Sequence, residues 1–161
     1  MSVKVGDRIP DVEVRILDAD GNPQPARTGD LLGSGTVVLF AVPGAYTPGC
    51  SKVHLPGYVE NYDALKAKGV DTVACIAVND AWVMGAWGEA QGATGKVLMI
   101  GDGCGDFAEA MDLVMDGTAF GLGKRSRRYA AVIQDGVITS LDVEEGGGIS
   151  VSGCDMVLGK V

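Results

Sequence analysis

Cys50 ends the octapeptide Pro43-Gly44-Ala45-Tyr46-Thr47-Pro48-Gly49-Cys50, and its neighbours on both sides place a thiol where it can become reactive. The preceding run Thr36-Val37-Val38-Leu39-Phe40-Ala41-Val42 is apolar, rich in β-branched residues and too short for a membrane span, the pattern of a strand buried on both faces. Prolines and glycines then break it. Beyond Cys50, the residues Val53, Leu55, Tyr58, Val59, Tyr62 and Leu65 recur at helical spacing, with Pro56 predicting a kink rather than an end. Cys50 is therefore expected in the first turn of a helix. Unpaired backbone N–H groups and the positive end of the macrodipole favour a thiolate over a thiol there. The same context also suits an inert packed cysteine, and placement alone does not choose between the two.

His54 stands four residues after Cys50 on the same predicted helix face and raises the question of a cysteine–histidine dyad. Helical side chains lean toward the N-terminus, so contact is within reach, but a structural or orienting role is favoured over that of a base. It is the only histidine, which excludes multi-histidine metal sites. The four cysteines include no C-x-x-C pair, so neither a zinc site nor a disulfide scaffold is indicated and a reducing compartment, the cytoplasm, is expected. The basic run Gly123-Lys124-Arg125-Ser126-Arg127-Arg128 reads by composition as solvated charge or a weak nucleic-acid patch.

The elements that must hold Cys50 follow from the rest of the chain. With 161 residues, 47% of them hydrophobic, residues 1–161 suit one globular domain with a sizeable core. A net charge of −8 argues against nucleic acid as a partner, and no segment reaches the ~18 uninterrupted apolar residues of a membrane span. Strands are predicted at Val12 to Ile16, Thr36 to Val42, Asp71 to Val78, Lys96 to Ile100, Tyr129 to Gln134 and Val137 to Val143, the last two joined at Asp135-Gly136, a hairpin signal. Helices are predicted from Cys50 to Lys68 ending at Gly69, from an Asn79-Asp80 cap through Ala90, from Asp106 to Met115, and from Ser152 as a cap to Val161 with Met156, Val157 and Val161 on one side. Two β-α units, a hairpin and a closing helix describe an α/β fold with a mixed sheet and helices on both faces. This is the thioredoxin-like arrangement.

The spacing Pro43-x-x-x-Thr47-x-x-Cys50 resembles the active-site signature of peroxiredoxins, and the run from Val42 to Gly57 is similar to the type II, or peroxiredoxin-5-like, subgroup. Further similarity lies in Lys4-Val5-Gly6-Asp7, Leu65 to Val70, Val78-Asn79-Asp80, Ala86-Trp87-Gly88 and Arg125-Ser126-Arg127-Arg128-Tyr129. The resemblance implies a thiol peroxidase in which Cys50 is the nucleophile toward a hydroperoxide and becomes a sulfenic acid. Thr47 would turn its hydroxyl and N–H toward the sulfur and peroxide oxygens, Pro43 would limit water, and Arg128 would supply an always-protonated guanidinium. No cofactor or metal is implied, and a homodimer is.

The resolving thiol stays open. Cys75, 25 positions after Cys50, matches the second cysteine of plant type II relatives, which are linked to glutaredoxin or thioredoxin, yet it sits in an apolar strand. Some animal members carry a resolving cysteine at the position of Val151, three places before Cys154. Cys104 matches no resolving position. An external thiol, glutathione with or without glutaredoxin, is therefore favoured over thioredoxin acting on an internal disulfide. Two rival readings stand beside the peroxidase. A general thiol–disulfide reductase needs C-x-x-C, whereas position 47 is threonine. An interaction or chaperone-like protein would use Trp82, Trp87, Phe120 and Leu122 for contacts.

Overall fold

The computed structural model describes residues 2–161. In chain order come β1 (Glu13–Leu17), β2 (Pro23–Arg27), α1 (Thr28–Leu31), β3 (Thr36–Ala41), a π-helical turn (Cys50–His54), α2 (Leu55–Glu60), α3 (Tyr62–Ala67), β4 (Thr72–Ala77), α4 (Ala81–Ala90) and β5 (Val97–Gly101). They are followed by α5 (Asp106–Ala110), β6 (Val114–Asp116), β7 (Lys124–Ser126), β8 (Tyr129–Gln134), β9 (Val137–Val143) and α6 (Cys154–Leu158). Seven strands form a mixed sheet in the order β2-β1-β5-β4-β3-β8-β9, with β3, β4 and β5 parallel and the other pairs antiparallel. This is the thioredoxin-like arrangement expected.

The unbroken apolar run of β3 follows from its two-sided burial. Val38, Phe40 and Val42 enter one core with Tyr58 of α2, Leu65 of α3, Trp87 of α4 and Val157 of α6. Val37, Leu39 and Ala41 enter a second core with Phe107 of α5, Met111 and Ile133. Alternate side chains of a strand point to opposite faces, so a strand covered on both sides has no position for a polar residue. Among the described residues, no helix is long and apolar enough to cross a membrane.

Several elements differ from the expectations. The helix expected from Asp106 to Met115 stops at Ala110, because Asp112 adopts φ +56 and Leu113 donates back to Ala108. Val114–Asp116 is a strand paired with β7, so the basic run is not solvated charge as a whole. Lys124 pairs with Glu109 at 2.6 Å, while half-buried Arg125 and Arg127 donate to the carbonyls of Leu122 and Glu144. The helix after Cys50 does not simply kink at Pro56: it opens as a π-helical turn, breaks at Asn61 and ends before Gly69, whose φ is +91. Ser152 is buried and caps nothing; Gly153 precedes α6, and Met156 is 42% exposed while Val157 is buried, so the two do not share a face. β2 went unpredicted because Pro23 and Pro25 argue against a strand, yet at the sheet edge their missing donors cost little. Trp87 is buried and unavailable for contacts, whereas Trp82 and Phe120 are exposed.

Candidate active site

The loop between β3 and the π-helical turn is held from three sides. Asn79, just past β4, accepts from the Ala45 N–H through Oδ1 at 2.9 Å. Arg125 donates to the Pro43 carbonyl at 3.4 Å, and a Cβ at Gly44 would come within 2.9 Å of the same guanidinium nitrogen. Trp87 of α4 donates through Nε1 to the Ser51 hydroxyl at 3.0 Å, fixing the first helical turn to its neighbour. Tyr46 takes φ +64, a conformation L side chains rarely adopt, at the tip of the loop. The helix then starts with Ser51 N–H donating to the Thr47 carbonyl. Cys50 is fully buried at its beginning.

Two donors converge on the Cys50 sulfur. Thr47 Oγ1 lies 2.9 Å from Sγ and 2.7 Å from the Gly44 carbonyl. A hydroxyl carries one hydrogen, so it serves either the sulfur or the carbonyl. Arg128, directly before β8, brings Nη2 to 3.2 Å from Sγ. Its Nη1 lies 2.9 Å from His54 Nδ1, while its buried Nε–H has no partner among the described residues.

His54 cannot serve as base for Cys50 in this arrangement. A guanidinium only donates, so Nδ1 must be the accepting nitrogen, and the ring proton sits on Nε2, which donates to the Ser152 carbonyl at 2.9 Å. Burial brings the His54 pKa down to about 4, with the Arg128 charge adding to the shift and the Ser152 contact and Glu144 opposing it. The imidazole is neutral at physiological pH and orients the guanidinium. Tyr58 donates to the same carbonyl at 2.7 Å and stacks on Phe40 of β3 at 3.9 Å.

Glu144 lies beyond this layer. Burial pushes its carboxyl up, but donors from Val151, Ser152 and Ser150 outweigh that and bring its pKa down to about 2. Oε1 accepts from the N–H groups of Ser150, Val151 and Ser152 at 2.7, 2.8 and 2.9 Å and from the Ser152 hydroxyl at 2.9 Å, and Oε2 accepts from the Ser150 hydroxyl at 2.9 Å. The Glu144 N–H donates to the Arg128 carbonyl at 2.9 Å. Sequence reasoning missed Glu144 and Arg125. The one available signal was an acidic residue between a predicted strand and Gly146-Gly147-Gly148, a place where a side chain commonly organises a turn.

The structure thus brings Cys50, Thr47, Arg128 and His54 together, with Pro43 in the supporting loop. Cys75 and Cys154 are buried in the same hydrophobic core as Cys50. Burial pushes the Cys75 thiol well up and the Cys154 thiol up to about 12. Cys104 is exposed, and all four cysteines are free. Among the described residues, no cluster of three or more His, Cys, Asp or Glu is placed to hold a metal ion.

Comparison with known proteins points the same way as the geometry. The redoxin family model matches residues 4–158. Peroxiredoxin-2E-2, chloroplastic, of Oryza sativa subsp. japonica is 44% identical over 161 residues, covering 98% of this chain and 72% of its own length. Peroxiredoxin-2B of Arabidopsis thaliana is 40% identical, covering 97% and 96%. Reduced Prx3 of Vibrio vulnificus in complex with hydrogen peroxide superimposes with a TM-score of 0.93 at 45% identity over 98% of both chains. A match across nearly the whole chain, on a fold that buries a cysteine at a helix start beneath an arginine, makes this chain a member of the redoxin family and, within it, a peroxiredoxin, a thiol-dependent peroxidase.

Proposed function

We propose that Cys50 is the peroxidatic nucleophile and that an external thiol, glutathione alone or with a glutaredoxin, regenerates it in a reducing compartment such as the cytoplasm. The observation that carries the reading is the convergence of Thr47 and Arg128 on a buried sulfur, with the Arg128 Nε–H left free for a substrate oxygen. The Cys50 thiolate attacks the terminal peroxide oxygen, an S–O bond forms as the O–O bond breaks, and the second oxygen leaves with the electron pair and takes a proton to become water or an alcohol. Arg128 and Thr47 place donors where negative charge moves from sulfur to oxygen. The resulting sulfenic acid condenses with the external thiol, releasing water and forming a mixed disulfide, and a second thiol displaces Cys50.

Cys75 and Cys154 support external rather than internal resolution. Both are buried and held as neutral thiols, the unreactive form in exchange. The π-helical turn, a rare departure from the α-helix that is frequent at functional sites, is the segment suited to opening so that a thiol can reach Cys50. Intact mass after one equivalent of peroxide without reductant tests the proposal. A gain of one oxygen, followed by addition of glutathione, is expected; loss of two hydrogens means an internal disulfide and ends the external-thiol version. Cys50→Ser should abolish turnover.

A further inference from the structure

The geometry points to Glu144 as a positioning residue for Arg128 in peroxide reduction, acting through a hydrogen-bond circuit that leaves the arginine backbone and returns to its guanidinium. The circuit has four links. The Glu144 N–H donates to the Arg128 carbonyl at 2.9 Å, and the Ser152 N–H donates to the Glu144 carboxylate at 2.9 Å. His54 Nε2–H donates to the Ser152 carbonyl at 2.9 Å, and Arg128 Nη1 donates to His54 Nδ1 at 2.9 Å. One residue therefore holds the arginine backbone directly and its head indirectly. Glu144 touches neither the sulfur nor any place a peroxide would occupy, so its effect must pass through Arg128.

The carboxylate supplies a restraint that the local chain lacks. Gly146, Gly147 and Gly148 have open space where a Cβ would stand, and three glycines leave the segment before Ser150 with maximal backbone freedom. Three consecutive amides and two hydroxyls gathered on one carboxylate remove that freedom. The Ser152 carbonyl is thereby fixed where both His54 and Tyr58 reach it. His54 then presents only one nitrogen lone pair, and that lone pair chooses the guanidinium orientation. Arg128 has a long, many-rotamer side chain, and a guanidinium displaced by about 1 Å loses its alignment with a developing oxyanion, a loss that reaches about a hundredfold in rate.

This inference rests on the reading of Cys50 as peroxidatic, and single-turnover reactions of the full chain, pre-reduced and with no added thiol, separate the two. Two rates are measured for wild type, Glu144→Gln and Ser150→Ala: oxidation by hydrogen peroxide, and alkylation of Cys50 by iodoacetamide followed by peptide mass mapping. Alkylation breaks a carbon–iodine bond and develops no oxyanion, so it senses Arg128 only through the Nη2 contact with the sulfur, whereas peroxide reduction also needs the guanidinium aligned with the leaving oxygen. Glu144→Gln should slow peroxide oxidation about tenfold or more while alkylation changes by less than about threefold. Ser150→Ala removes one exposed donor, folds without difficulty, and should show a smaller loss of about two- to threefold in peroxide rate alone. Peroxide and alkylation rates that move together, or a peroxide rate unchanged in both variants, would overturn the positioning role and leave Glu144 a structural anchor. If Glu144→Gln fails to fold, Ser150→Ala decides by the same ratio. A wild type inert to peroxide would instead remove the reading beneath it.

Discussion

Arg128 is asked to do three things with one planar group: hold the Cys50 sulfur with Nη2, hold His54 with Nη1, and keep Nε–H free. A lysine at this position keeps the charge but has one nitrogen on a flexible stem, and it cannot serve the sulfur and the imidazole from fixed directions. Arg128→Lys should lower the peroxide oxidation rate about a hundredfold or more, measured in a single turnover, and destabilise the fold by about 1–3 kcal/mol because His54 Nδ1 is left buried without a donor. Thr47 divides differently. Thr47→Val removes the hydroxyl at nearly constant shape and should slow peroxide oxidation by about two to three orders of magnitude. Thr47→Ser keeps the donor and should stay within about tenfold; equal losses in the two variants would show that the methyl, not the hydroxyl, matters. These residues were legible in the sequence because Pro43, Thr47 and Cys50 lie within one loop of fixed spacing, and Arg128 lies in a short resembling motif. Glu144 was not, since its role is created by six contacts to residues distant along the chain or across a glycine-rich turn, and its place before three glycines suggests a turn without naming those partners.

At the scale of elements, the strands that build the two-sided core were readable because burial on both faces forces apolar runs, and Asp80 was readable as a cap because its side chain does accept from Val83 N–H at 2.8 Å. The boundaries that failed are set by tertiary partners. β6 and β7 are three residues each and exist only by pairing with one another, and α5 ends early because that pairing turns the chain at Asp112. The seating of α4 on the sheet depends on glycine in the same nonlocal way. A Cβ at Gly101 of β5 would lie 2.7 Å from Ala81 N and 2.9 Å from Ala81 Cα, backbone atoms at the start of α4 that cannot yield without moving the helix. Gly101→Ala should therefore cost about 2–3 kcal/mol in a thermal or urea melt. Gly57, within α2, has open space for 4 Å around the place where a methyl group would stand, and Gly57→Ala should raise stability by about 0.5–1 kcal/mol. A gain at Gly101→Ala like that at Gly57→Ala would mean that intrinsic backbone preference, not the approach of α4 to β5, governs these glycines.

For the molecule as a whole, the circuit around Arg128 makes stability depend on pH in two separate windows. His54 has a folded pKa of about 4 against an ordinary 6.5, so an unfolded chain binds a proton first on acidification. Its contribution is complete above pH 6.5 and is lost as the pH falls toward 4; the full shift corresponds to about 3 kcal/mol. Glu144 has a folded pKa of about 2 against 4.5, so its contribution is complete above 4.5 and is lost from there down toward 2. Asp102 works in the opposite direction: burial raises its pKa despite the N–H groups of Phe107 and Ala108, so acidification returns stability there. As His54 is the only histidine, its window stands apart from most of the carboxylates. Urea unfolding at pH 7 and pH 5 should show wild type losing about 2 kcal/mol from the histidine across that interval, a loss that His54→Gln does not share while Asp102 acts in both. Parallel pH dependence in the two proteins would mean that His54 accepts a proton in the folded state as readily as in the unfolded one. Its Nδ1 lone pair would then be unavailable to Arg128, and the orientation of the guanidinium over Cys50 would need another source.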